Sequence, residues 1–309
     1  MGKICFLFPG QGSQYCGMGK ELYDSYKECR DIFIKADSVL NYSISDLCFK
    51  GPKEELNKTE NTQVAVLTTS IAFLKILEKK GIKADACAGL SLGEYSALVC
   101  SGAINFEDAL RLVKKRGMFM QEAVPSGYGA MAAVIGLSSY AVNDAVSKLC
   151  TQHTVEVANY NFPGQTVIAG EKEAVKEACS ALKKMGALKT VMLSVSGPFH
   201  TSMMQPAAEK LKDELEDVFF SDFKIPVVTN VTGDFIESSR DIKDYLIKQV
   251  TSPVRWEQSI KRLIQYGAHT FIEIGPKKTL SAFVKKIDKN VKTYNVEDLK
   301  SLLTIEMEG

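Results

Sequence analysis

Apolar residues recur along this chain in two rhythms. Short unbroken runs at Ile4–Phe8, Ala84–Ala88, Ile225–Thr229 and Thr270–Ile274 each lead into a glycine or a polar turn, which is the pattern of buried strands. Between them, Thr62–Lys80, Phe106–Val124 and Arg255–Tyr266 repeat their apolar positions at helical spacing. Strands alternating with helices of that length predict an α/β domain around a parallel sheet covered on both faces.

The rhythm changes between Gly127 and Val195. There the pattern predicts strand (Ala130–Ile135), helix (Tyr140–Cys150), strand (Val155–Asn159), strand (Thr166–Ala169), helix (Lys172–Met185) and strand (Lys189–Leu193). That βαββαβ order is ferredoxin-like, so residues 127–195 read as a small subdomain inserted into a larger α/β domain made of 1–126 and 196–309. A groove between the two would be a natural binding site.

Composition narrows the function classes. With 38 Lys+Arg against 37 Asp+Glu, no global field favours nucleic acid or an anionic membrane, so any anionic partner must be held locally. The eight cysteines, at 5, 16, 29, 48, 87, 100, 150 and 179, form no C-x-x-C pair and read as reduced, buried small hydrophobes of an intracellular protein. Ile4–Phe8 is too short for a signal segment, and no run reaches the length of a membrane span. Met1-Gly2 is followed by Phe6 where a myristoylation pattern has Ser or Thr. These features predict a soluble cytoplasmic protein.

Candidate chemistry gathers at Gly89-Leu90-Ser91-Leu92-Gly93, between an apolar run and a helical one. Two readings stand for Ser91. It is either a helix N-cap or the nucleophile of a G-x-S-x-G strand-to-helix corner, with the glycines supplying positive φ and close packing and the helix start aiming free N–H groups at the reacting carbonyl. A nucleophilic serine needs a base, and the chain has three histidines. His153 opens a strand of the insert and His269 lies in a turn; both read as surface or boundary residues. His200 sits in "SVSGPFHTSMMQPAAEKL", on a loop where the chain leaves the insert, and is either the base or a loop histidine satisfied by backbone. Arg116 shares the apolar stripe of Ala109, Leu112, Val113 and Met120. Either it faces inward and needs an anion, or its stem packs while its head reaches water.

These segments together resemble the malonyl-CoA:acyl carrier protein transacylases of bacterial type II fatty acid synthesis. The resemblance runs through "FLFPGQGSQYCGMGKELY" (6–23), "NTQVAVL" (61–67), "GLSLGEYSAL" (89–98), "RGMFMQEA" (116–123), "VANYNFPGQTVIAG" (157–170), "GPFHTSMMQPAAEKL" (197–211), "PVVTNVTG" (226–233), "VTSPVRWEQSI" (250–260) and "IEIGP" (272–276). It implies an α/β-hydrolase-like large domain and an acyltransferase moving malonyl from malonyl-CoA to the phosphopantetheine thiol of an acyl carrier protein, with no metal or other cofactor and a monomeric chain. At matching positions it implies Ser91 as nucleophile, His200 as general base and Arg116 as the residue holding the malonyl carboxylate. Gln11 and Leu92 would supply oxyanion N–H groups. Gln249 would orient His200 through a main-chain oxygen, and Gln63, Asn159 and Phe199 would line the pocket. Lys183, Lys184, Lys189, Lys277 and Lys278 are candidates for a basic patch facing the carrier protein.

Two positions depart from the family pattern. Leu90 stands where histidine is common, and "GPKKTL" lacks the second glycine that often follows the proline. Three rivals remain at this point: an acyltransferase serving a polyketide synthase, a serine hydrolase of acyl thioesters, and a catalytically idle carrier-protein binder.

Overall fold

The computed structural model describes residues 2–149 and 153–308. Its strands are β1 (Lys3–Phe8), β2 (Ala86–Gly89), β3 (Gly129–Ile135), β4 (Val155–Phe162), β5 (Gln165–Glu171), β6 (Lys189–Met192), β7 (Val227–Val228), β8 (Ala268–Ile274) and β9 (Lys292–Val296). Five form a parallel sheet in the order β7-β2-β1-β8-β9, and the other four form an antiparallel sheet in the order β4-β5-β3-β6. The second order, taken with its two helices Ser139–Leu149 and Lys172–Lys184, is that of a ferredoxin-like unit.

Alternation along β1 shows why the main sheet is buried on both faces. Phe6 and Phe8 point to one side and pack with the helix Thr59–Lys79, while Cys5 and Leu7 point to the other, against Trp256, Ile260 and Leu280. The helix Thr59–Lys79 is enclosed on nearly every side from Thr62 to Leu74. Two of its buried hydroxyls donate to carbonyls, Thr62 to Leu56 (2.6 Å) and Thr69 to Ala65 (2.8 Å). Among the described residues no helix is long and apolar enough to cross a membrane.

The four-stranded sheet is anchored differently on its two faces. Ala132, Val134 and Ile168 pack beneath the unit's own helices, whereas Met131, Ala133 and Val167 join the core of the main sheet. The Val254 N–H donates to the Ala158 carbonyl (2.8 Å) and the Tyr160 N–H to the Val254 carbonyl (2.9 Å), stitching β4 to a loop of the larger unit. The cleft between the sheets thus has one wall from each.

Several expected elements differ in extent. β7 has two residues instead of five, because Pro226 has no N–H to give and beyond Val228 the chain folds back, the Ile236 N–H donating to the Val227 carbonyl (2.9 Å). β9 escapes the apolar-run criterion because it is an edge strand of sequence KTYNV, buried fully only at Val296. Two cysteines depart from the expected burial: Cys16 is exposed and Cys100 half-buried, and Cys150, with the end of its predicted helix, lies outside the described residues.

β2 reaches the helix Gly93–Cys100 through only three residues. A Cβ at Gly89 would lie 1.9 Å from the Gly93 carbonyl, and one at Gly93 would lie 2.0 Å from the Phe8 carbonyl oxygen. Backbone meets backbone at both points, so neither neighbour can yield by turning a side chain. Gly89→Ala or Gly93→Ala is therefore expected to cost about 1–3 kcal/mol, the range for overpacking a tight site; urea unfolding of either variant with an unchanged midpoint would contradict the close approach.

Candidate active site

The corner between β2 and the helix Gly93–Cys100 places Ser91 at φ 53°, a left-handed conformation that costs a non-glycine residue energy. This corrects one expectation about the corner. The positive φ belongs to the serine itself, and the flanking glycines serve close approach alone. The strained turn is clamped from outside: the Ser91 N–H donates to Asn230 Oδ1 (2.6 Å), and Asn230 Nδ2 donates to the Gly89 carbonyl (2.7 Å).

His200 reaches Ser91 from the loop that follows β6, also at positive φ (64°). Its Nε2 lies 2.7 Å from Ser91 Oγ, and its Nδ1 lies 2.8 Å from the Gln249 main-chain oxygen. A carbonyl only accepts, so Nδ1 carries the proton, Nε2 is bare, and the serine hydroxyl donates to it. Burial, with the nearby Arg116 charge, pushes the His200 pKa down to about 4, against the opposing pull of the Gln249 and Ser252 main chain. The ring is a neutral acceptor at pH 7.

Arg116 is 1% exposed. Its Nη1 donates to Gln63 Oε1 (2.7 Å), and its Nη2 donates to Gln249 Oε1 (3.0 Å) and Ser91 Oγ (3.2 Å). Its carbon centre lies 5.4 Å from the Tyr95 ring centroid. The alternative in which the head reaches water is excluded by this burial, and the guanidinium faces the serine with uncharged partners only.

Ser91, Arg116 and His200 open onto a cleft of about 760 Å³ that Gln11, Leu92, Asn159 and Phe199 also line. Neither the Gln11 nor the Leu92 main-chain N–H finds an acceptor among the described residues. Gln63 does not line the cleft. It stands behind the guanidinium, its amide taken up by Arg116 and by Met120 Sδ, because the helix Thr59–Lys79 is sealed into the core at that point. His153, paired with Glu171 Oε2 (3.2 Å), and His269 are exposed and away from the cleft. Of the five candidate lysines only Lys277 lines it; Lys183, Lys184, Lys189 and Lys278 are exposed elsewhere.

Sequence reasoning passed over two residues. Glu94 reads as an ordinary acid of a helix's first turn, and Asn230 as one polar residue of a turn; both are fully buried beside Ser91. The departure at "GPKKTL" also acquires a physical meaning. Lys277 sits at φ 66°, the conformation that favours the glycine common there, and its ammonium donates to the Gly12 carbonyl (2.8 Å). Among the described residues no cluster of His, Cys, Asp and Glu could hold a metal ion.

The family model described as the acyl transferase domain matches residues 5–304. The chain belongs to that family. It is 49% identical over 303 residues to the malonyl CoA-acyl carrier protein transacylase of Bacillus subtilis, covering 98% of this chain and 96% of that protein. The crystal structure of the transacylase of that name from Clostridium perfringens superposes with a TM-score of 0.96 at 49% identity, over 99% of this acyltransferase and 96% of that chain. A malonyl-transacylase in complex with a type II polyketide synthase acyl-carrier protein superposes at 0.97 with 42% identity, over 99% and 100% of the two chains.

The low His200 pKa has a measurable sign. Protonation removes the acceptor of the Ser91 proton only near pH 4, so the rate at which a fluorophosphonate labels Ser91 should stay level from pH 8 to about 5 and halve near 4. A midpoint near 6.5, the ordinary value, would mean a solvated imidazole. His200→Ala should slow labelling by about 10²–10⁴-fold.

Proposed function

We propose that this acyltransferase moves a malonyl group from malonyl-CoA to the phosphopantetheine thiol of an acyl carrier protein through a malonyl ester on Ser91. The observation that carries the reading is the buried Arg116, 3.2 Å from Ser91 Oγ and held only by neutral partners. A desolvated cation beside a nucleophile is suited to an acyl group that brings its own carboxylate, and a guanidinium can hold that carboxylate at two points.

His200 Nε2 takes the Ser91 proton as Oγ attacks the thioester carbon. The oxyanion of the tetrahedral intermediate is held by the N–H groups of Leu92 and Gln11, and coenzyme A leaves as its thiol after receiving the proton from His200. The carrier's thiol then repeats the steps in reverse. The Gln249 main-chain oxygen keeps His200 in the required tautomer, in the place where a triad carboxylate would otherwise stand. A thioester is exchanged for a thioester, so the reaction calls for no metal, nucleotide or redox partner. Asn159 and Phe199 shape the acyl pocket. Residues 127–195 serve as the inserted subdomain forming one wall, with 1–126 and 196–309 as the large domain, and the enzyme works as a cytoplasmic monomer. The solved relative bound to a polyketide carrier keeps a second carrier class in view.

The first test is intact mass after mixing with malonyl-CoA, followed by a phosphopantetheinylated carrier protein. A malonyl adduct that persists in water and moves to the carrier is expected. An adduct that decays to malonate at one rate with or without carrier would make the protein a hydrolase, and no adduct at all would leave an idle binder.

Two comparisons of kcat/KM test selectivity. Arg116→Ala should lower the malonyl-to-acetyl ratio by about 10- to 150-fold, the equivalent of about 1.5–3 kcal/mol for a charged hydrogen bond. Malonyl-CoA should be favoured over methylmalonyl-CoA by about 10–200-fold, because Phe199 narrows the space at the α-carbon. Equal values would remove Phe199 from that role.

A further inference from the structure

The Gln249 side chain stands between the buried Arg116 guanidinium and the buried Glu94 carboxyl. Its Oε1 accepts from Arg116 Nη2 (3.0 Å), and its Nε2 donates to Glu94 Oε2 (2.7 Å) and to the Ser91 carbonyl (3.1 Å). An amide can be turned end for end, so something must decide which end meets the guanidinium. Arg116 only donates, the Ser91 carbonyl only accepts, and Glu94 Oε2, which also takes the Asn230 N–H, accepts. Each neighbour therefore demands the same orientation. Glu94 also accepts the Asn230 N–H (2.9 Å), and Asn230 clamps the Ser91 N–H (2.6 Å), so one carboxylate oxygen braces both supports of the corner.

Distance gives this arrangement a consequence for the substrate. A carboxylate placed directly on Arg116 would compensate its charge but occupy the donors an incoming acyl carboxylate needs. With an amide interposed, Glu94, whose carboxyl pKa burial pushes up to about 7, lies behind Gln249, and the guanidinium is oriented by two neutral oxygens, those of Gln63 and Gln249.

We propose that Glu94 is a positioning residue for substrate selection: by fixing the orientation of the Gln249 amide it aims Arg116 at the acyl carboxylate. The proposal rests on the malonyl-transfer reading and adds to it a residue that touches no reacting atom.

A structural loss would slow malonyl and acetyl transfer alike, so the readout is their ratio. Rates of acyl-Ser91 formation from malonyl-CoA and acetyl-CoA are measured by intact mass for the wild type, Glu94→Ala and Glu94→Gln. Glu94→Ala, which leaves the Gln249 amide only its longer contact to the Ser91 carbonyl (3.1 Å), should lose at least about 10-fold in the malonyl-to-acetyl ratio, of the order expected if Arg116 loses its charged hydrogen bond to the acyl carboxylate. Glu94→Gln can present one oxygen where Oε2 now lies and should stay within about 3-fold of the wild-type ratio, on the scale of a neutral hydrogen bond. A folded Glu94→Ala with the wild-type ratio, or a Glu94→Gln that loses as much as the alanine, would overturn the proposal.

If Glu94→Ala does not fold, Gln249→Met decides instead. It keeps the main-chain oxygen for His200 and removes the amide, so its malonyl-to-acetyl ratio should fall as far; an unchanged ratio refutes the idea. A wild-type chain that forms no malonyl adduct would defeat the transfer reading separately. A crystal structure of Glu94→Ala or Gln249→Met would then judge the positioning role, with an unmoved Arg116 guanidinium counting against it.

Discussion

A guanidinium cannot give up its proton, so burying Arg116 to 1% exposure obliges the fold to surround it with acceptors. The acceptors are amide oxygens from two helices distant in sequence, Gln63 on Thr59–Lys79 and Gln249 on Ile242–Thr251, with the Tyr95 ring beside them. Much of the site follows from that requirement. The charge helps to keep His200 neutral, lies within reach of the Ser91 hydroxyl and holds donors in a cleft that an anion can enter.

Strain is the second constraint, and it falls on two residues of the site. Ser91 and His200 each adopt a left-handed conformation, and each is held by a group from elsewhere in the chain: Asn230 for the serine backbone, the Gln249 main chain for the imidazole. Gln249 is thus used twice, by its backbone toward His200 and by its side chain toward Arg116. Glu94 ties Gln249 to Asn230, so the parts answer to one buried hydrogen-bond network.

Much of the architecture was legible because its signals are local. The apolar runs located four of the five parallel strands, and the βαββαβ rhythm located the insert, since each element announces itself by its own periodicity. β9 was not legible because an edge strand has only one face to bury, and β7 was overextended because apolarity does not reveal where a ladder stops. At the site, Ser91 and Arg116 stood out as misfits in their own windows, a serine between glycines and an arginine in an apolar stripe. Gln63 was legible as a member of a motif, but its place behind Arg116 was not. Glu94 resembled any acid of a first helical turn, and Asn230 any turn residue.

The sequence by itself determined the alternation of strands and helices, the βαββαβ pattern, the corner at residues 89–93 and the family to which the chain belongs, because these depend on neighbours within a few residues or on motifs in a fixed order. Tertiary structure decided which tautomer His200 adopts, whether Arg116 reaches water and which way the Gln249 amide points. Those outcomes depend on partners 25 to 158 positions apart along the chain. A hydrogen bond's direction is set by what faces it across the cleft, and no local pattern of residues contains that information.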